Sequence, residues 1–317
     1  MTIPIPFIFG FTFLIGVIIN TLGLFLLRKS NLLQKIRPEG PTHHQKKSGT
    51  PTMGGLFIML TIFLGVLIFS WPWSQAMKLL LFLFLGTGLI GFVDDILIIK
   101  RGKNQGLYGY QKIIGQLTVA VIFVFFLLKS DFHLGVGTTL TQLHFDNPWL
   151  YGTLSVLIIV SASNAVNLTD GLDGLATGSL VMAFLAYLTL SALLQNPGLF
   201  AVSLVALAAL LAFLFFNYHP AKMFMGDVGA LSLGALLGGM ALFTHTEFLL
   251  ILIGGVFVIE TLSVIIQVTS YKLRKKRVFK MSPLHHHFEL SGVSELQIVW
   301  GAWILAFFFG LLGVLLY

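Results

Sequence analysis

Five aspartates carry most of the chemistry this sequence could perform. Asp94 and Asp95 stand side by side in LIGFVDDILIIK, in a stretch that holds no other charge from Leu79 to Ile99. Asp170 and Asp173 lie three apart in NAVNLTDGLDGLATG, and Asp227 closes FNYHPAKMFMGD. Neighbours on a helix point about 100° apart, so one cation would not easily serve both Asp94 and Asp95. Two carboxylates beside an apolar wall suit a metal ion, or a proton acceptor for a lipid-borne substrate. Asp170 and Asp173 would share one face of a helical turn. Asn167, Thr169 and two glycines add hydrogen-bonding groups and close backbone approach there. Asp227 falls where a helix begins, a place whose free N–H groups and dipole favour anions. Each acid has an ordinary reading too, as a snorkelling pair, a polar hairpin or an N-cap. Their density on short connections speaks for a site.

Cations and donors recur in the same kind of place. HHQKKSGTPTMGG brings Lys47 and Thr52 to the start of an apolar segment, as a phosphate-facing turn would, although it lacks the order of a P-loop. GLYGYQKIIGQ places Lys112 at the mouth of another, and Asn217, Lys222 and Phe224 surround Asp227. Phe224 could stack on a flat base. KMSPLHHHFELSG holds His285, His286 and His287 in the most basic stretch. Adjacent histidines cannot all face one metal, which disfavours zinc. Donation to phosphate oxygens, or proton transfer near neutral pH, fits them better. Glu260 is an isolated acid within an apolar run and reads as a structural or protonated group.

The elements that must position these residues are membrane spans. Of 317 residues 56% are hydrophobic and 10% charged, with mean hydropathy +0.93. A soluble domain carries about 25% charge. Ten segments are apolar enough to cross a bilayer: 5–27, 53–71, 77–99, 113–128, 149–166, 174–194, 198–216, 228–245, 247–270 and 297–317. The fourth is short, so its helix is expected to begin inside the preceding loop. No basic leader or cleavage site precedes the first, which reads as a span and not a removed signal. There is no cysteine, and so no disulfide or thiolate chemistry.

Of the 19 Lys and Arg, all but Lys78 and Lys129 fall on one side of that ten-span arrangement. The positive-inside rule makes that side cytoplasmic and puts both termini outside. The net charge of +7 is thus topological and speaks for anionic lipid head groups rather than nucleic acid. Asp94, Asp95, Asp170, Asp173 and Asp227 fall on the same cytoplasmic rim. The expectation is an all-α polytopic integral membrane protein, one domain over residues 1–317, with its active site on the cytoplasmic face. Acids at the rim instead of the midplane, and the absence of matched broken helices, argue against a transporter. A structural scaffold does not account for five cytoplasmic aspartates.

Taken in order, TPTMGG, FVDD, NLTDGLDGL, N-x-x-P-A-x-x-F-M-G-D and P-x-HHH-x-E resemble the phospho-N-acetylmuramoyl-pentapeptide transferase family, within the polyprenyl-phosphate N-acetylhexosamine 1-phosphate transferase superfamily. The resemblance runs from about residue 42 to 295, and the histidine run is its most specific mark. It implies transfer of phospho-MurNAc-pentapeptide from UDP-MurNAc-pentapeptide to undecaprenyl phosphate, releasing UMP and forming lipid I, with Mg2+, in the bacterial plasma membrane. The alternative is a sister enzyme using UDP-N-acetylglucosamine. The resemblance further implies Asp227 as the magnesium ligand, with Asp94 and Asp95 binding or deprotonating undecaprenyl phosphate. It places Asn167, Asp170, Asp173, Asn217 and Phe224 near uridine. Lys47, Thr52, Lys112 and His285–His287 would lie near phosphates or sugar. It suggests a homodimer. Which of Asp94 and Asp95 is the base, and whether Asp227 forms a phospho-enzyme, stay open at this level.

Overall fold

The computed structural model describes residues 4–30, 49–69, 73–101, 105–130, 135–137, 142–144 and 147–317. Its long helices are α1 (Ile5–Lys29), α2 (Gly55–Phe69), α3 (Gln75–Arg101), α4 (Gly109–Leu128), α5 (Pro148–Thr169), α6 (Leu175–Leu193), α7 (Pro197–Asn217), α8 (Gly226–Phe243), α10 (Gly255–Arg274) and α12 (Glu295–Leu315). Two short ones, α9 (Leu250–Ile253) and α11 (Leu284–Glu289), flank α10. Strands β1 (Gly135–Gly137) and β2 (Gln142–His144) pair antiparallel between α4 and α5, a small departure from the all-helical expectation.

Nine of these helices are long and apolar enough to cross a membrane among the described residues. The expected second span is the exception. Its helix, α2, has 15 residues and covers about 22 Å at 1.5 Å per residue, short of the hydrocarbon core. Residues 51–55 are instead drawn into hydrogen bonds with the segment before α8: Phe224 N–H donates to Pro51 O, and the amides of Gly54 and Gly55 donate to Phe224 O and Met225 O, each at 2.8 Å. The expected ninth span is also broken. It divides at Gly254 into α9 and α10, so its apolar run is not one straight rod. The fourth begins at Gly109, inside the basic loop, so Lys112 lies in its first turn.

α8 is the axis of the bundle and is buried almost throughout. Its small residues allow α3, α5 and α2 to approach closely, as packing in lipid favours. A Cβ at Gly91 of α3 would strike the backbone of Asp227 and Val228. Ser163 Oγ of α5 donates to Leu231 O of α8 at 2.9 Å. α6 and α7 pack beside this core, α12 lies against α6, and α1 against α7. α1, α4 and α12 turn large apolar side chains outward, including Leu14, Phe125 and Phe308, as faces toward lipid do.

Candidate active site

The site forms where α3, α4, α5 and α8 end or begin together. Lys112 sits in the first turn of α4, where a cation opposes the helix dipole. Two acids compensate it. Its Nζ is 2.5 Å from Asp227 Oδ2 and 3.0 Å from Asp94 Oδ2. Asp227 lies in the first turn of α8, where the dipole favours it, and its Oδ1 accepts from Asn167 Nδ2 at 2.9 Å. Asp94 Oδ1 accepts the Leu107 N–H at 2.6 Å, tying the residues just before α4 to α3.

Asp95 does something different from its neighbour. Its Oδ1 accepts the Asp227 N–H at 3.2 Å and its Oδ2 the Val228 N–H at 3.1 Å. It thus caps α8 from another helix, satisfying two amides that a helix start leaves open. Gly226 makes this possible. It has φ +74, and a Cβ there would lie 2.6 Å from Asp95 Oδ2 and 3.1 Å from Thr52 Oγ1. Exposure ranks the groups: the side chains of Lys112 and Asp227 are 24% and 21% exposed, while Asp94 is at 0% and Asp95 at 4%. A ligand therefore meets Lys112 and Asp227 first.

Carboxylate oxygens of Asp94, Asp95 and Asp227 all lie within 4.8 Å of one another. Such an all-oxygen set suits a hard divalent cation. The ammonium of Lys112 marks the point between Asp94 and Asp227 where positive charge is demanded. With both Asp95 oxygens engaged by amides, Asp227 and Asp94 are the better-placed donors.

Asp170 follows α5 directly and approaches the cluster. Burial, and next the charge of Asp227, push its carboxyl up to about 7, against the lowering effect of the Gly226 N–H. Asp173 is buried and tied to His219 and Ala221. Asn217 is buried with both polar atoms engaged inside the protein, accepting from Thr177 Oγ1 at 2.6 Å and donating to Met223 O at 3.1 Å. Phe224 is half-buried on the strand-like segment facing residues 51–54. Thr52 is buried beside Gly226, and Lys47 lies outside the described residues.

The three histidines have three separate environments. His285 is buried, with Nδ1 3.2 Å from Glu260 Oε2 and its imidazole edge against Gly171. His286 Nδ1 lies 2.7 Å from Glu289 Oε2. His287 Nδ1 accepts the Lys280 N–H at 3.1 Å, so a neutral ring carries its proton on Nε2. Glu260 is not isolated, since it also accepts the His285 N–H at 3.3 Å. Gln267, two turns further along α10, accepts from Val278 and Phe279 amides and donates to Phe279 O. One polar stripe of α10 therefore holds the histidine segment. Sequence reasoning passed over that role for Gln267, and over Glu295 and His219, for which the signals were an acid in a first helical turn and a histidine inside the FNYHPA stretch.

A ring of rim carboxylates, bridged by a lysine and carried on membrane-crossing helices, is what an enzyme joining a soluble phosphate ester to a lipid requires. The sequence model described as glycosyl transferase family 4 matches residues 77–245, the span that contains Asp94 through Asp227. Phospho-N-acetylmuramoyl-pentapeptide-transferase signature 1 matches residues 47–59. Relatives of that name agree over nearly the whole chain. The one from Geobacillus thermodenitrificans is 48% identical over 96% of this chain and 94% of its own. The one from Shouchella clausii is 49% identical over 97% and 96%, and that from Bacillus subtilis 46% over 95% and 94%. The chain belongs to the phospho-N-acetylmuramoyl-pentapeptide-transferase family.

Proposed function

We propose that this protein transfers phospho-MurNAc-pentapeptide from UDP-MurNAc-pentapeptide to undecaprenyl phosphate. The observation that carries the reading is the Lys112 bridge between Asp94 and Asp227, set at the ends of spans in a chain of this family. A single membrane domain in which α2, though short, completes ten crossings by locally thinning the bilayer, with both termini outside and the site on the cytoplasmic face of the bacterial plasma membrane, accords with the distribution of Lys and Arg.

In the reaction, an oxygen of undecaprenyl phosphate attacks the phosphorus that carries the sugar. The bond from that phosphorus to the bridging oxygen of UMP breaks, and UMP leaves with the electron pair. Phosphoryl transfer asks of the protein mainly positioning and neutralisation of charge. Mg2+, held by Asp227 with Asp94, would supply Lewis acidity at the phosphates. Lys112 neutralises negative charge beside them. Asp94 is the better candidate to take a proton from the lipid phosphate, because its Oδ2 is paired only with the side chain of Lys112 among the described residues, whereas both oxygens of Asp95 accept backbone amides of α8. Asp227 has both oxygens engaged, by Lys112 and Asn167, which suits holding charge better than attacking phosphorus. That favours direct transfer over a phospho-enzyme.

Asp170, Asp173, Asn167 and Phe224 would face the nucleotide, with Asn217 shaping its loop, and His285–His287, Thr52 and Lys47 would serve phosphates or sugar. The lipid's chain has a place to lie. An apolar cavity of about 310 Å³ between α5, α8 and α10 reaches from Val166, beside Asn167, to Glu247. Turnover of UDP-MurNAc-pentapeptide with undecaprenyl phosphate, with and without magnesium, tests the reading. Absence of UMP release from that pair, with release from UDP-N-acetylglucosamine, would transfer the assignment to the sister activity.

A further inference from the structure

The nucleotide side of the site, in the reading above, rests on two loops from different helix pairs: residues 170–174 before α6 and 218–225 before α8. The second loop is pinned in part by Phe216 O, which accepts the Lys222 and Met223 amides, and by residues 51–55. Both loops are tied to a third element, the first turn of α12, through two residues the mechanism does not use. Glu295 Oε1 accepts the Asp173 N–H at 2.8 Å. Asp173 Oδ2 accepts the Ala221 N–H at 3.0 Å and lies 3.0 Å from His219 Nδ1, which is itself 3.4 Å from Glu295 Oε2. A ring nitrogen facing two carboxylate oxygens must carry its proton, so His219 donates into the pair. Further along α12, Trp303 Nε1 donates to Gly174 O at 3.1 Å, holding the far end of the same loop.

We propose that Glu295 is a positioning residue for the soluble substrate, acting with His219 to set the backbone and carboxylate of Asp173. It rests on the reading that the 170–174 loop receives the nucleotide. The argument is one of connectivity. Asp173 is 3% exposed and its amide has one acceptor of fixed direction, so its placement depends on Glu295. Asp94, Asp95 and Lys112, which form the lipid-phosphate side, take their partners from α3, α4, α8 and Leu107 just before α4, and none from α12 among the described contacts. Loss of Glu295 should therefore reach one substrate and spare the other.

The test is steady-state turnover by the full chain carrying Glu295→Ala, Glu295→Gln or His219→Ala, with each substrate varied at saturation of the other. Glu295→Ala should raise KM for UDP-MurNAc-pentapeptide at least tenfold and leave KM for undecaprenyl phosphate within twofold. Glu295→Gln keeps an oxygen for the Asp173 N–H and should recover most of that loss, while His219→Ala should fall between them. Equal movement of both KM values, or of neither, overturns the proposal. Should Glu295→Ala not fold, His219→Ala decides by UMP affinity: a threefold loss supports the brace and an unchanged value refutes it. If the unmodified protein does not turn over this substrate pair, the proposed function fails, and UMP affinity of the same variants still decides the role of Glu295.

Discussion

Replacing Lys112 by methionine separates the lysine from the magnesium ion proposed to share its carboxylates. The ammonium lies 2.5 Å from Asp227 Oδ2 and 3.0 Å from Asp94 Oδ2, the oxygens best placed for magnesium. Lysine and metal therefore compete for the same charge. A hydrogen bond to a charged group is worth about 1.5–3 kcal/mol. The Lys112–Asp227 contact is one such bond, with the side chains only about a quarter exposed, so solvent screens it partly. Removing that competitor should tighten magnesium binding by about 10–100-fold, at 1.4 kcal/mol per tenfold. Turnover should fall in the same variant, by about 100-fold or more, because a positive group beside the reacting phosphates is lost. The assay is calorimetric titration of magnesium into metal-stripped protein, with UMP release measured at saturating magnesium. Unchanged magnesium affinity would refute the shared site. Tighter binding with normal turnover would confine Lys112 to a structural counter-charge.

Asp95→Ala should lower the melting temperature by several degrees as well as abolish turnover, since it removes the cap of α8, worth about 0.5–2 kcal/mol for an ordinary N-cap. Asp227→Asn should lose most turnover while melting close to the unmodified protein, and equal melting losses in the two variants would contradict the division of labour. Exchange of labelled UMP into UDP-MurNAc-pentapeptide without lipid should be absent, and exchange at a catalytic rate would establish the phospho-enzyme route through Asp227. Asp170, with its carboxyl raised to about 7, is favoured as the neutral acid in the folded protein. Stability from this group is present below its unfolded value near 4 and is lost as pH rises toward and through 7. Without magnesium, Asp170→Asn should therefore melt higher than the unmodified protein at pH 8 and lose that advantage by pH 5; an advantage constant across pH would refute the assignment.

Much of this was legible before any coordinates. Apolar length and the placement of Lys and Arg determine that the chain crosses a membrane repeatedly, because an unpaired charge or open backbone in hydrocarbon is costly whatever the fold. Residue types likewise pointed to Asp94, Asp95, Asp170, Asp173 and Asp227 as a group, since acids have no topological use on that rim, although Asp173 turns instead to His219 and Ala221. The 100° between neighbours on a helix required Asp94 and Asp95 to find separate partners. Only tertiary structure decided which partners. Asp95 turns to the amides of α8, and Asp94 to Lys112 and the Leu107 amide. Lys112 meets Asp227 across 115 residues of sequence, a pairing that local pattern does not encode. The histidine run shows the same limit: three identical neighbours receive three environments, because α10 buries one edge of their segment through Glu260 and Gln267. Hydropathy reports how much of a segment is apolar but not whether its backbone runs straight, so neither the break at Gly254 nor the shortness of α2 was visible in it. Composition and spacing point to assembly of these groups at the ends of membrane spans; the packing of α3, α4, α5 and α8, which sets the direction of each carboxylate, decides which one is open to a ligand and which one caps the helix beside it.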